Sequence, residues 1–465
     1  MLNPPFIIPQ CNPTPCVRKM LPFTDRRNDE LHLFVKILSD RIIVPIESLE
    51  TSIQTLQFPA DRKKCLLKTA EEAMLLNDMF ASFFSGKPDY VIAVSGGFGP
   101  GGQYYVVGAG NTGKKGVLRP SDELCTALAR ACNEFILGNA IPLNPDDMSA
   151  ILVASLDICH AEVAHRLKFM TPTASNANTL DKWGLQANRN VCSDVAALKK
   201  KLKRWKGLES QEKTEVAISY GQLLKFASEL WDKIKDFGLI QDDRQSKTIY
   251  NLNTIAKGLQ LLRRFPRSTW VVIYWPQGPV NGDCFGCQQV NVKTWQTVIE
   301  DLINESAIGD YQSGKKILRK WKEAIGENQY MKAIQHTSCQ LHCEIYLALY
   351  ILFSDSNIRF HSFLVEEKKR LFAIGCSKES CVGCWDVLRG LFRQDSRNHP
   401  QYVCRTRRSH GKCYEKWCLT PDVNTLPSSL RQAVTGARQT QMIKSLHDAL
   451  KYSHQEFKQR VESSM

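Results

Sequence analysis

The sequence has no long apolar run. Among its 465 residues there is no uncharged apolar stretch of the ~18 residues that a membrane-spanning helix needs, so we expect no membrane span. The opening residues, MLNPPFIIPQ, have neither a basic start nor an extended apolar segment, and we therefore expect no secretory signal. No internal repeat is visible either, which argues against a solenoid or propeller.

Cysteine, by contrast, is plentiful. There are 17 cysteines, an odd number, and they are spread over the whole chain. Without a secretory signal, reduced thiols in an intracellular protein, cytoplasmic or nuclear, are the expectation. Pairs of cysteines are therefore considered as metal ligands before disulfides.

Length and charge set further limits. A single core rarely grows beyond ~250–300 residues, so two domains are expected. Hydrophobic residues make up 43% and charged residues 23%, which is ordinary for a globular protein with a sizeable core. The formal net charge is +14, which favours polyanions such as nucleic acid or nucleotides as partners. A basic but merely solvated surface remains the alternative.

Hydrophobic spacing predicts a mostly α-helical region up to about residue 265. One exception is residues 90–108, where two β-branched and aromatic runs flank a glycine-rich turn and predict a hairpin. After Pro266 the pattern changes, with a strand-like run at 269–275. Predicted helices elsewhere span 30–84, 122–138, 146–170, 194–206, 214–238, 249–264, 295–304, 314–325 and 428–463.

Two charged or glycine-rich stretches suggest polyanion binding. The run from Gly108 to Lys115 nearly matches a phosphate-binding P-loop, but Lys115 stands where that loop needs a Ser or Thr for magnesium. A solvated glycine turn is the favoured interpretation. The lysine-rich helix at 194–206 fits a solvated basic face better than a nuclear-import or polyanion patch, although that alternative stays open.

The most informative feature is a His-x-Glu motif that is followed along the chain by a Cys-x-x-Cys motif. His-x-Glu occurs three times, and Cys-x-x-Cys occurs twice, at 284–287 and 381–384. Only His342-Cys343-Glu344 is followed by a Cys-x-x-Cys at a distance that one domain can span, 39 residues. The earlier pair, at 160–162, has no such partner nearby.

Simple geometry brings these residues together. If His342 begins a helix, Glu344 lies on the adjacent side and can face the same cavity. Cys381 and Cys384 lie one helical turn apart, after a strand predicted at 371–374, with Ser380 as N-cap. One His and two Cys leave the fourth position of a tetrahedral Zn²⁺ to water, and Glu344 can serve as general acid/base, as in zinc base deaminases.

The segment resembles the cytidine deaminase-like superfamily, and within it the fungal branch described as nucleic acid/nucleotide deaminases. The resemblance rests on Leu341-His-Cys-Glu344, on the phrase from Ile374 to Cys384, and on Ser409-His-Gly-Lys412 before Trp417. It covers roughly residues 330–425. Two positions depart from the common pattern: Ser380 replaces a Pro, as expected for this branch, and Cys343 replaces an Ala and places a soft ligand near the metal.

The resemblance implies a zinc-dependent hydrolytic deaminase of a nucleobase in a nucleotide or nucleic acid. It makes His342, Cys381 and Cys384 the Zn²⁺ ligands and Glu344 the proton shuttle. The implied fold is α/β, a three-layer α/β/α domain on a mixed five-stranded sheet, over residues 266–427. That domain would follow a mostly helical region, 1–265, and precede a helical tail, 428–465.

Four residues near the predicted zinc site are candidates for contact with a substrate. Arg408, His410 and Lys412 are candidates for binding a substrate phosphate, unless they form a basic loop without a ligand. Trp385 is a candidate for stacking on a base, unless it is a core residue. Three alternatives stay open: an inactive zinc-binding interaction or regulatory protein, a structural zinc site that uses Cys284 and Cys287, and ordinary core cysteines. Oligomeric state is not predicted.

Overall fold

The computed structural model describes part of the chain. The described residues are 67–99, 102–138, 145–170, 189–234, 244–275, 340–353, 363–388, 401–407 and 417–418, apart from gaps at 68, 114–115, 118, 367–368, 382 and 386–387. The predicted helices at 295–304, 314–325 and 428–463 lie outside the described residues, as does the Cys284–Cys287 pair.

The described elements come in successive runs of strands and of helices along the chain. In order they are α1 Ala70–Phe84, β1 Ile92–Phe98, β2 Gln103–Gly110, β3 Thr112–Gly113, β4 Gly116–Val117, α2 Asp122–Leu137, α3 Ser149–Leu167, α4 Arg189–Lys203, a 3₁₀ turn Trp205–Gly207, α5 Ser210–Ile234, α6 Arg244–Arg263, β5 Trp270–Tyr274, β6 Gln340–Leu341, α7 Cys343–Phe353, β7 Phe363–Glu366, β8 Lys369–Cys376, β9 Gln401–Thr406 and β10 Trp417–Cys418.

The main sheet is mixed and has six described strands, in the order β5-β2-β1-β8-β7, with β9 also paired to β8. The predicted hairpin is confirmed, because β1 and β2 pair antiparallel from Ile92↔Gly110 to Phe98↔Tyr104. β8 pairs antiparallel with β1 and β7, and parallel with β9. A mixed sheet is thus confirmed. Five strands were expected within residues 266–427, whereas this sheet combines β5, β7, β8 and β9 of that range with β1 and β2 from before residue 265.

Helices pack on both faces of this sheet. On one face α1 lies so close to β8 that a Cβ on Gly375 would collide with the α1 backbone. Asn77 of α1 donates its Nδ2 to the Ala373 carbonyl (2.8 Å), which fixes helix against strand. Cys376, the next residue along β8, points the other way and lies near Cys343 at the start of α7. The first two turns of α7 therefore cover the opposite face.

Local sequence explains the helix limits in the N-terminal half. The predicted helix at 122–138 is confirmed as α2, which begins after Ser121, whose Oγ accepts the Leu124 N–H. The helix predicted from residue 146 begins at Ser149 instead, because residues 145–148 form a turn. These helices share one apolar core with α1 and the inner face of the sheet.

The sheet joins strands from both sides of the predicted boundary at residue 265. β1 and β2 precede that boundary, whereas β8 and β9 follow it. The boundary itself stays a prediction. Within the described ranges, no helix is both long enough and apolar enough to cross a membrane.

Candidate metal centre

A short strand places His342 at the start of a helix. Gln340 and Leu341 form β6, which pairs parallel with β10. His342 follows immediately, and its carbonyl accepts the Tyr346 N–H (3.0 Å), the first hydrogen bond of α7. The helix is nearly all apolar after Glu344, and Ile345, Leu347 and Ala348 are buried, so the imidazole, thiol and carboxylate side chains of this segment lie at its first turn.

Asn111 completes this helix N-terminus from a distant part of the chain. Its Oδ1 accepts the backbone N–H of Cys343 (2.7 Å), one of the donors that a helix start leaves unpaired. Sequence reasoning missed this residue, which lies inside the run that resembled a P-loop. The described part of that run forms the end of β2 and the short strand β3, which pairs with β4, not the strand-to-helix loop that a P-loop requires.

Cys343 supports the neighbouring carboxylate. Its Sγ lies 3.4 Å from Glu344 Oε2 and 3.5 Å from the Val91 carbonyl, so the thiol has acceptors on both sides. Burial, together with the Glu344 charge, raises the pKa of Cys343 well above its usual value. A protonated thiol is a hydrogen-bond donor and a poor metal ligand, so this environment favours support of Glu344 over metal binding by Cys343.

The two cysteines follow β8, as the sequence predicted. Ser380 precedes them, and its Oγ lies 3.0 Å from Thr406 Oγ1 of β9. Cys384 donates its backbone N–H to Cys381 Sγ (3.3 Å), and residues 383–385 are helical. The turn therefore brings both thiols to one side. They lie at the N-terminal end of the helical turn, where backbone N–H groups favour the thiolate.

The structure brings His342, Cys381 and Cys384 together. Their ligand atoms all lie within 4.8 Å of one another, and both thiols are buried. Cys381 Sγ is 3.6 Å from His342 Nδ1. Tetrahedral zinc with bond lengths of about 2.3 Å to sulfur and about 2.1 Å to nitrogen would separate such atoms by about 3.6 Å. The donor set therefore fits zinc.

Electrostatics favour the charge pattern that a metal needs. Burial raises the pKa of Cys381, but the Cys384 hydrogen bond and the nearby His342 lower it more, to about 6. Burial lowers the pKa of His342, and the Cys381 thiolate raises it to a net value above its usual one. Both shifts favour a thiolate beside a protonated imidazole, so zinc would displace the imidazole proton on binding.

A comparison with protein families finds a similarity in the segment that carries the candidate centre. The family model described as OTT_1508_deam:-like deaminase matches residues 341–422. The matched segment is cytidine deaminase-like. It contains His342, Glu344 and both cysteines of the candidate centre. No curated protein and no solved structure matches the chain.

Other predicted residues of the deaminase segment have different outcomes. Glu344 is 2% exposed, and its charge raises the pKa of both His342 and Cys381, so it lies beside the centre. Trp385 is buried, and its indole N–H has no hydrogen-bond partner in the described part of the chain. Arg408, His410 and Lys412 lie outside the described residues, so their substrate-binding roles stay predictions.

The rival His-x-Glu motif has a separate place. His160 stacks on Trp205 of the 3₁₀ turn, and its Nδ1 lies 3.0 Å from the Leu156 carbonyl. Glu162 forms an ion pair with Arg166 on the same helix. Neither residue belongs to the metal-ligand group of the described residues.

Proposed function

We propose that the chain is a zinc-dependent hydrolytic deaminase that acts on a nucleobase in a nucleotide or nucleic acid. The observation that carries the proposal is the convergence of His342, Cys381 and Cys384 within 4.8 Å, in a segment that matches a deaminase family. We place the protein in the fungal nucleic acid/nucleotide deaminase branch and inside the cell, on the sequence motifs and the expectation of reduced thiols.

The chain's own residues supply the proton chemistry. Zinc, when bound by these three side chains, would supply Lewis-acid activation of a water molecule. The Glu344 carboxylate would carry two protons in turn: the first from the attacking water to the ring nitrogen, and the second from the hydroxyl group so formed to the amine, which leaves as ammonia. The Cys343 thiol, which lies 3.4 Å from Glu344 Oε2, orients the carboxylate. Burial of Glu344 keeps bulk water from competing for these proton transfers.

An exposed cationic surface supports a polyanionic substrate. We define the basic cluster as Lys200, Lys201, Lys203, Arg204 and Lys206, all exposed at the end of α4 and the turn that follows. The opposite side of this segment is buried in the core through Leu202 and Trp205, so the cations face solvent. Lys201 lies 3.9 Å from Glu215, an exposed pair of little strength.

Metal content and turnover test the proposal. Purified protein is expected to carry about one zinc per chain, and to release ammonia from at least one member of a panel of cytosine and adenine nucleotides and oligonucleotides. Glu344→Gln should keep the zinc and lose turnover by a factor of about 10³ or more, since it removes the proton carrier. Folded protein without zinc would refute the proposal. Zinc binding with no turnover of any panel member would favour the regulatory, inactive alternative.

The form of the substrate is tested separately by salt dependence. Three charges of the basic cluster are reversed in the variant Lys200→Glu, Lys203→Glu, Arg204→Glu. For a single-stranded oligonucleotide, the negative slope of log affinity against log salt concentration should become shallower by about 2. A matched triple variant at exposed residues elsewhere, Arg130, Lys225 and Arg267, is the control. Equal effects of both variants would show that only net charge matters.

A further inference from the structure

We infer that Arg166, held in place by Glu162, is a positioning residue for the loop that presents Cys381. Both residues lie on α3, in the helical region that sequence reasoning left without a function. The inference rests on the proposed metal site. It assigns to Glu162, from the rival His-x-Glu motif, a supporting role at that site instead of a ligand role of its own.

The contact is made at Ser377, the first residue after β8. Arg166 donates its Nη2 to the Ser377 carbonyl (3.0 Å). Ser377 is also paired twice with Ile92 of β1, since its N–H donates to the Ile92 carbonyl (2.9 Å) and its Oγ accepts the Ile92 N–H (3.0 Å). The backbone and side chain of Ser377 are therefore fixed by β1 and by Arg166 together.

The Arg166–Glu162 pair is built to aim one guanidinium. Arg166 Nε lies 2.6 Å from Glu162 Oε1, and the two side chains are only 11% and 6% exposed. A buried ion pair adds little stability over an apolar pair, because desolvation offsets the attraction. Its local consequence is orientation: with Nε fixed by the carboxylate, the planar fork points Nη2 at the Ser377 carbonyl.

Fixing Ser377 fixes the approach to the metal ligands. Three residues lie between it and Cys381, a span short enough that a shift at one end is transmitted to the other. The other described anchors of this loop are the Ser380–Thr406 contact and the Lys247–Glu379 pair at 3.6 Å. The latter is more exposed and correspondingly weak. Arg166 is thus the buried charged anchor that the helical region provides to the loop.

Zinc affinity measures this role without turnover. Zinc dissociation constants would be determined by competition with a chromogenic chelator at pH 7.4, on full-length protein in the Glu344→Gln background. Arg166→Met is expected to weaken zinc binding about tenfold, the lower end of the range for groups that support metal ligands. Arg166→Lys keeps a cation beside Glu162 without the rigid fork, and should weaken binding about threefold. Unfolding midpoints of all variants would be recorded in parallel.

A matched ion pair on the same helix is the control. Asp157 of α3 accepts from Lys213 Nζ (2.9 Å) and from Trp205 Nε1 (2.8 Å), and neither partner lies in the loop. Asp157→Asn should shift the unfolding midpoint and leave the zinc constant unchanged. If Arg166→Met binds zinc as tightly as Asp157→Asn does, the inference is wrong.

Two further results of the zinc titration have a defined meaning. Should Arg166→Met fail to fold, Arg166→Lys decides alone, and wild-type zinc affinity in that variant overturns the inference. If the parent protein itself binds no zinc, the proposed function has failed, and this result is distinct from failure of the Arg166 role.

Discussion

Replacing Asn111 by Ala tests whether the helix that carries His342 depends on a residue far away in sequence. The substitution removes the one acceptor observed for the Cys343 N–H, at 2.7 Å. Cys343 is 1% exposed, so water cannot readily replace the lost partner. Loss of a helix N-terminal cap costs about 0.5–2 kcal/mol, and leaving a buried donor unpaired costs about 1–3 kcal/mol. We expect a destabilisation of about 1–2 kcal/mol.

The same free energy should appear in zinc binding. If the first turn of α7 frays without its cap, zinc must re-form that turn in order to bind His342. A cost of about 1–2 kcal/mol then corresponds to an increase of about 5–30-fold in the zinc dissociation constant. Urea unfolding gives the stability change, and chelator competition gives the affinity.

Two variants make the Asn111 experiment decisive. Asn111→Asp retains an oxygen acceptor and should keep most of the stability, because Asp caps about as well as Asn. Ser121→Ala removes a cap whose donor, the Leu124 N–H, is 3.4 Å away in an exposed contact on α2. Ser121→Ala should lower the free energy of unfolding by less than Asn111→Ala does, and should leave zinc affinity unchanged. The reasoning is refuted if Asn111→Ala affects zinc no more than Ser121→Ala does.

Three further predictions follow from packing and burial. Gly375→Ala should lower the free energy of unfolding in urea by several kcal/mol, since a Cβ there meets the backbone of α1. Gly207→Ala is the control, because a Cβ at that position meets open space and the free energy of unfolding should match that of the wild type. Burial raises the pKa of Cys159 to about 12 and that of Cys132 still further, so iodoacetamide at pH 8 should modify both thiols only after unfolding, as measured by mass spectrometry. Residues 330–427 expressed alone should show no cooperative thermal transition by circular dichroism, because β8 would lack its partner β1. A cooperative transition of that fragment would contradict the last prediction.

Local signals in the sequence were sufficient to group His342, Cys381 and Cys384, which the structure brings together, and to predict several elements. The spacings within His342–Glu344 and within Cys381–Cys384 reflect the geometry of one helical turn, which is determined by only a few residues. The hairpin of β1 and β2 was also predictable, because its glycine-rich turn lies directly between two strand-like runs. The helix at α2 was predictable from its cap and its apolar period.

Contacts between distant segments were not predictable in this way. Asn111 and Cys343 are 232 residues apart, and Arg166 and Ser377 are 211 apart. No periodicity or spacing rule relates positions at such separations. That β1 and β2 belong to the same sheet as β8 was missed for the same reason, since the strand-like runs at 92–110 do not reveal that β1 pairs with β8. An asparagine and an arginine in helical or glycine-rich surroundings carry no local mark of such partners.

These long-range contacts connect the segment that matches the deaminase family model to the chain that precedes it. β8 needs β1 as a neighbour, α7 needs Asn111 to complete its first turn, and the loop before Cys381 is held by Arg166. Every one of these partners precedes residue 170. A buried metal centre requires its ligands to be fixed before the metal arrives, because each degree of freedom that zinc must freeze weakens its binding. The helical region therefore belongs to the physical chemistry of the centre, and variants far outside residues 341–422 should alter zinc affinity.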